Sequence, residues 1–251
     1  MIKYGLKLWS SNTVAEFQEA ADLCTRKIFD FAEVYYDPDQ EIDYDKLGLL
    51  KDCEVSIHAT NSHGWHEFFL TDYHVAMWQN ILKMADFFRT EKIVVHAGAV
   101  PHTFETFLEN LKKIDDPRIL VENMAGLDIY KHDMHGRTFE ELQPIAQLKP
   151  ICFDFEKAIK SACFQKIDYK DFILKCVNEF KPRYFHISGG DKNSPVDEHK
   201  DLMGVNFDVA WIRELLKSIS EDEDMRLVFE TAKKDGNLKN DVANLEYFKR
   251  V

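Results

Sequence analysis

Short runs rich in β-branched and aromatic residues recur along the chain and alternate with longer stretches whose apolar residues fall at helical spacing. The runs are "KYGLKLW", "IFDFAEVYY", "CEVSIHA", "EKIVVHAG", "PRILVEN", "KPICFDF", "PRYFHIS" and "MRLVFET", eight in all. Between them stand "TVAEFQEAADLC", "YHVAMWQNILKMADFF", "TFETFLENLKKI", "TFEELQPIAQL", "YKDFILKCVNEF" and "FDVAWIRELLKSI". The first set reads as strands and the second as amphipathic helices. Thr13 with Glu16 and Thr138 with Glu141 match the capping box, in which hydroxyl and carboxylate satisfy free amides at a helix start. Strand starts lie about 24 to 43 residues apart, room for a strand, a helix and two loops. This alternation calls for a parallel sheet, and eight units favour a closed barrel, because closure removes both edges. The expectation is an α/β chain forming a single (β/α)8 TIM barrel, residues 1–251 as one domain.

Composition narrows the setting. A chain of 251 residues with 45% hydrophobic content can bury one large core. The acidic stretches "DPDQEIDYD" and "SISEDEDM" are short enough to be loops. The N-terminal "MIKYGLKLWSSN" lacks the apolar stretch of a signal peptide, and no run approaches the roughly 18 apolar residues of a membrane span. A cytoplasmic protein with no membrane partner is the expectation. The odd count of five cysteines (Cys24, Cys53, Cys152, Cys163 and Cys176) suits a reducing compartment, with the thiols as core or incidental groups. A formal charge of -12 argues against a general nucleic-acid scaffold, although cations in a carboxylate-rich pocket would reverse the local field. No glycine-rich phosphate loop follows the first strand, which counts against dinucleotide binding.

Candidate chemistry is concentrated at strand ends. Six of the eight runs finish with a potential metal ligand: His58, His96, Glu122, Asp154, His186 and Glu230. In a parallel barrel these ends meet at one face, where active sites of this architecture are built. Burying such groups together costs several kcal/mol each unless they are paired or bound to cations. Three imidazoles and three carboxylates suit zinc, manganese or iron better than calcium, which prefers oxygen. After the seventh run, "DEH" adds Asp197 and His199. His63, His66, His102, His132 and His135 fall in loops over the same face and read most simply as solvated residues, and His74 as structural. Trp65 stands in one of those loops, placed to cap a substrate or to pack on its own barrel.

These residues resemble the xylose isomerase-like TIM-barrel superfamily and, within it, endonuclease IV, the family 2 abasic-site (AP) endonucleases. The resemblance runs the length of the chain as ordered strand ends, and is sharpest in "LVENMAG", the following "GRTFEEL", and the pairing of "FHIS" with "DEH". It implies a hydrolase with two or three Zn2+ ions, Mn2+ or another divalent ion being the alternative, acting on a phosphodiester such as damaged DNA. By position, His58, His96 and Glu122 would hold the first ion. Glu122 would bridge to a second, held also by Asp154, His186 and Glu230, while Asp197 and His199 would hold the third. Glu122 and Glu230 would also orient the attacking hydroxide as catalytic residues.

Three departures qualify the resemblance. A histidine three residues after the strand-six aspartate completes the third ion's ligands in the endonuclease pattern, whereas this chain has Lys157. The third ion would then be weak or absent, recruit Glu156 or a loop histidine, or need Lys157 deprotonated or carboxylated; alternatively Lys157 pairs with Asp197. The first strand lacks the usual histidine, and the loop after "FAEVYYD" is acidic where DNA-binding members carry basic and polar contacts. Both features are closer to the superfamily's sugar isomerases and epimerases, whose single ion would fall to Glu122, Asp154, His186 and Glu230. A small sugar substrate is therefore the alternative, and a barrel that keeps the fold without the chemistry is a third reading.

Overall fold

The computed structural model describes residues 1–60, 72–98, 103–220 and 224–251, apart from the side chains of residues 72–74. All eight expected strands form: β1 (Ile2–Trp9), β2 (Phe31–Tyr35), β3 (Glu54–His58), β4 (Ile93–His96), β5 (Ile119–Glu122), β6 (Ile151–Asp154), β7 (Tyr184–Ile187) and β8 (Met225–Phe229). They pair in parallel, each with its sequence neighbours, and β8 returns to β1 to close the barrel. The expected helices appear as α1 (Val14–Thr25), α3 (Asp72–Phe88), α4 (Phe104–Lys113), α5 (Phe139–Leu148), α7 (Tyr169–Phe180) and α8 (Val209–Ile219). Both capping boxes are made, at Thr13 and Thr138. No described helix is long and apolar enough to cross a membrane.

Three helices go beyond the periodic pattern: the single turn α2 (Tyr44–Leu47), α6 (Phe155–Gln165) and α9 (Lys239–Arg250). The most consequential is α6, whose first residue, Phe155, belongs to the run "KPICFDF" that reads as strand. The strand ends one residue earlier, because the Asp154 side chain accepts from the Lys157 amide (2.8 Å) and caps the helix. Residues Phe155 to Ala162 are all buried, Glu156, Lys157 and Lys160 among them. The helix therefore begins inside a run that reads as strand, with no separate start signal in the sequence.

The barrel interior is layered by the alternation of side chains along each strand. Register puts Gly5 beside Phe31, Cys152 beside Tyr184, and His186 beside Val228. Phe31, Val94, Leu120, Cys152, Tyr184 and Val228 form an apolar plug, separate from the larger core between barrel and helices. Gly5 is required at this level, since a Cβ there would stand 2.4 Å from the Phe31 ring. Two residues further along each strand, above the plug, come Lys7, Glu33, His58, His96, Glu122, Asp154, His186 and Glu230.

Candidate metal centre

Each of those eight residues is at least nine-tenths buried, and they converge from eight different strands. Two short segments brace them. Asn123 accepts from the Asp154 amide (2.7 Å) and donates to the Asp154 carbonyl (3.0 Å), locking the end of β5 to that of β6. In the loop after β7, Gly189 and Lys200 exchange amide hydrogen bonds of 2.7 and 2.8 Å, closing the chain that carries Asp197 and His199. His199 lies in the left-handed region, φ 49°, a conformation of sparse population that the loop closure enforces.

Glu122 is the hub. Its Oε2 lies 2.7 Å from His96 Nε2 and 3.2 Å from His58 Nε2, and its Oε1 lies 2.8 Å from His186 Nδ1. Glu230 Oε1 is 3.1 Å from the same Nδ1. Two donors each about 2.1 Å from one ion stand about 3 Å apart, so these separations suit neighbouring ligands of a small divalent cation. Among the described residues, His58, His96 and Glu122 form one group whose ligand atoms lie within 4.8 Å of one another, and Glu122, Asp154, His186 and Glu230 form another. Asp154 Oδ2 and Glu230 Oε2 are buried without a hydrogen-bond partner. Buried carboxylate oxygens of this kind are costly unless a cation satisfies them, so the residues fit a metal ion.

The structure also brings in groups that the strand-end pattern misses. Lys7 Nζ donates to Glu33 Oε1 at 2.7 Å and contacts Glu230, while Tyr184 donates to Glu33 Oε2 at 2.6 Å. Glu33 forms a further potential ligand group with His58, His186 and Glu230, and Cys152 another with Glu122 and His186. The available signal was a charged residue in mid-strand, "GLKLW" and "FAEVY", where the surrounding residues are apolar. Lys157 Nζ lies 2.8 Å from Glu122 Oε1 and 3.4 Å from His96 Nε2, so its charge goes first to the hub rather than to Asp197.

Asp197 and His199 are brought together, Oδ1 to Nε2 2.9 Å, and His199 Nδ1 is 3.6 Å from Glu230 Oε2. Neither joins any of the described ligand groups, and Glu156 is turned instead toward Lys160, 3.4 Å away. His132 pairs with Asp128 (3.1 Å) on the loop after β5, and His135 faces Glu141 (3.8 Å). His63, Trp65, His66, His102 and the His74 side chain lie outside the described residues.

Burial alone would raise the acid groups, but neighbouring cations decide most of them. Lys157 and His186 outweigh burial at Glu122 and hold it well below the usual carboxylate range. At Lys157 burial favours the neutral amine, yet Glu122, Glu230 and Asp197 outweigh it and keep the ammonium charged. His96 is pushed down to about 4 by burial and by Lys157, so its ring is neutral at pH 7. Two acids here are exceptions: burial and the Asp197 charge raise Glu156, and Asp154 is raised to about 7 because burial outweighs Lys157 and the Glu122 and Glu230 charges add to it.

Asp154 carries a pH prediction. A metal needs ionised Asp154, so protons compete with it below about pH 7 and not above. Through Asp154, zinc affinity measured against a chelating dye is expected to fall about fivefold from pH 7 to 6, to approach tenfold per unit below that, and to lose this dependence toward pH 8. An Asp154→Asn variant should bind more weakly and lose that slope. Without metal the sign reverses: the fold binds the Asp154 proton more tightly than the unfolded chain, so this group's stabilisation is greatest below its unfolded value of 3.8 and is lost as pH rises through about 7.

Above the cluster opens a cavity of about 280 Å³, at the small end for ligand pockets. Lys7, His58, His96, Lys157, Asp197, His199 and Glu230 make its charged wall, and Trp9, Tyr35, Met124, Leu127 and Met134 contribute an apolar one.

No protein-family model and no curated protein sequence matches the chain. Solved structures do match it, nearly end to end. Endonuclease IV from Thermus thermophilus is 21% identical, with TM-score 0.70 over 98% of this chain and 97% of its own. The 3-keto-D-glucoside 4-epimerase YcjR from E. coli is 11% identical, with TM-score 0.67 and both chains covered fully. The IOLI protein, solved with a bound zinc atom, is 12% identical, with TM-score 0.64 over 98% of this chain and 96% of its own. The chain therefore shares with these proteins the closed (β/α)8 TIM-barrel fold that its sequence calls for.

Proposed function

We propose that the protein is a divalent-metal-dependent hydrolase of phosphoesters with a two-ion zinc centre at the C-terminal face of the barrel. One observation carries the reading: Glu122 belongs to both principal ligand groups, His58/His96/Glu122 and Glu122/Asp154/His186/Glu230. A carboxylate shared in this way would bridge two ions. Bound there, they would activate a water and stabilise the entering and leaving oxygens of a displacement at phosphorus.

The chain's own groups divide the remaining work. Glu230 Oε2, unpartnered and beside the cavity, is placed to take the proton of the attacking water. Glu122, fixed by three imidazoles and Lys157, stays ionised and keeps the ligand groups in register. The Lys7 and Lys157 ammonium groups line the cavity and attract phosphoryl oxygens. At His199, burial favours the neutral ring, but Asp197 and Glu230 outweigh it and raise the imidazole to about 10, so it can donate a proton to the leaving oxygen. The small cavity and the charge of -12 favour a compact phosphodiester, or one extruded nucleotide of damaged DNA, over broad duplex contact.

The second reading, a sugar isomerase or epimerase with one manganese-like ion, is favoured by a single contact. Lys157 sets its ammonium 3.4 Å from His96 Nε2 and 2.8 Å from Glu122 Oε1, the oxygen that also faces His186, so its charge opposes filling both groups at once and favours a single ion. Metal analysis and turnover separate the two. Two zinc equivalents per chain, with chelator-sensitive cleavage of a phosphodiester probe and an abasic duplex, support the hydrolase. One equivalent and no cleavage of either probe would overturn it. Under the hydrolase reading, His199→Ala is expected to slow cleavage about 100-fold by removing the acid; an isomerase would lose little.

A further inference from the structure

We infer that Glu33 is a positioning residue for the metal centre: its carboxylate receives the Nε2–H of His186 and so directs the Nδ1 lone pair of that ring at the ion. The inference rests on the metal-binding part of the reading above and holds for one ion or two. His186 has its two ring nitrogens in different surroundings. Nδ1 faces the ligand group, 2.8 Å from Glu122 and 3.1 Å from Glu230, whereas Nε2 faces away from it, 3.2 Å from Glu33 Oε2. A histidine can coordinate through only one nitrogen at a time in this arrangement, and the hydrogen bond at the other selects which.

Glu33 itself is held too firmly to follow the ring. Its side chain is fully buried, Oε1 accepts from Lys7 (2.7 Å), and Oε2 accepts from Tyr184 (2.6 Å), whose hydroxyl meets Ser56 Oγ at 2.5 Å. These partners stand on β1, β7 and β3, so three strands fix one carboxylate on β2. The alternative role, a ligand within the Glu33/His58/His186/Glu230 group, would put an ion on oxygens that already accept from Lys7 and Tyr184.

Zinc titration of full-length wild type and Glu33→Gln against a chelating dye tests this, together with two-dimensional 1H–15N spectra of the His186 ring in the zinc-loaded proteins. Wild type is expected to show protonated Nε2 and an unprotonated, metal-shifted Nδ1. Glu33→Gln should keep the zinc count, bind at least about tenfold more weakly, and show a broadened or mixed ring signature. Tyr184→Phe, which removes one support of Glu33, should weaken binding by a smaller factor. If Glu33→Gln does not fold, Glu33→Asp retains the charge, withdraws the carboxylate by one methylene and is expected to bind more weakly in the same way. Unchanged affinity and ring signature would overturn the inference, and loss of a whole zinc equivalent would overturn it by making Glu33 a ligand. Absence of zinc binding by wild type would instead overturn the metal reading beneath it.

Discussion

Glu230→Gln is expected to abolish turnover, by about 1,000-fold or more, while the barrel remains folded. Glu230 is the point where the ligand group, the cavity and the cationic residues meet: Oε1 contacts Lys7 and lies 3.1 Å from His186 Nδ1, and Oε2 faces His199 without a hydrogen bond. Glutamine has the same shape, so packing at the end of β8 is preserved, and Lys7 keeps its bond to Glu33. What disappears is the charge that would ligate an ion and the oxygen that would take a proton. Steady-state kinetics with a phosphodiester probe, alongside a thermal melt by circular dichroism, checks both halves. An unfolded variant, or turnover within a few-fold of wild type, contradicts the assignment.

The second large effect is expected at Lys157. Its ammonium is fully buried and shares Glu122 and His96 with the ion that the His58/His96/Glu122 group would hold. At an effective dielectric of about 20, two unit charges about 4 Å apart repel by about 4 kcal/mol, and a divalent ion doubles the repulsion. Swinging on its four-carbon stem would relieve much of this, so Lys157→Met is expected to tighten the weaker zinc site by about 10- to 100-fold rather than by the full electrostatic amount. The metal-free variant should lose stability, since it leaves the Glu122 charge without its nearest ammonium. Calorimetric titration with zinc, with melts recorded before and after loading, reads both effects. Equal zinc affinity in variant and wild type would mean that the lysine does not compete for that group.

The barrel was legible because its signal is local and repeated. Each strand run carries its own β-branched residues, and each capping box lies within four residues, so no long-range information is needed to find them. The single element of consequence that escaped was α6. Its start is hidden, because Phe155 closes the run "KPICFDF" that reads as strand, and the buried stretch that follows carries Glu156, Lys157 and Lys160. Asp154 compounded this, because one residue is at once the end of a strand and the cap of a helix.

The strand-end rule reached six of the eight polar residues in the layer above the plug. Lys7 and Glu33 escaped it because β1 and β2 run on by two residues past that layer, to Trp9 and Tyr35, so their charges sit in mid-strand. Barrel closure, which joins strands distant in sequence, is what gathers Glu33 with His58, His186 and Glu230 and sets Lys7 against Glu33 and Glu230.

By itself, the sequence determined the closed parallel architecture and the types of polar residue gathered at its face, because hydrophobic period and residue type are written locally. Only the tertiary structure decided how those residues are shared. It made Glu122 common to two ligand groups, turned His186 Nε2 onto Glu33, and set the Lys157 ammonium against the hub rather than beside Asp197. The reason is geometric: coordination and ion pairing depend on separations of about 3 Å between atoms on different strands. Only barrel closure and register bring those atoms to that range.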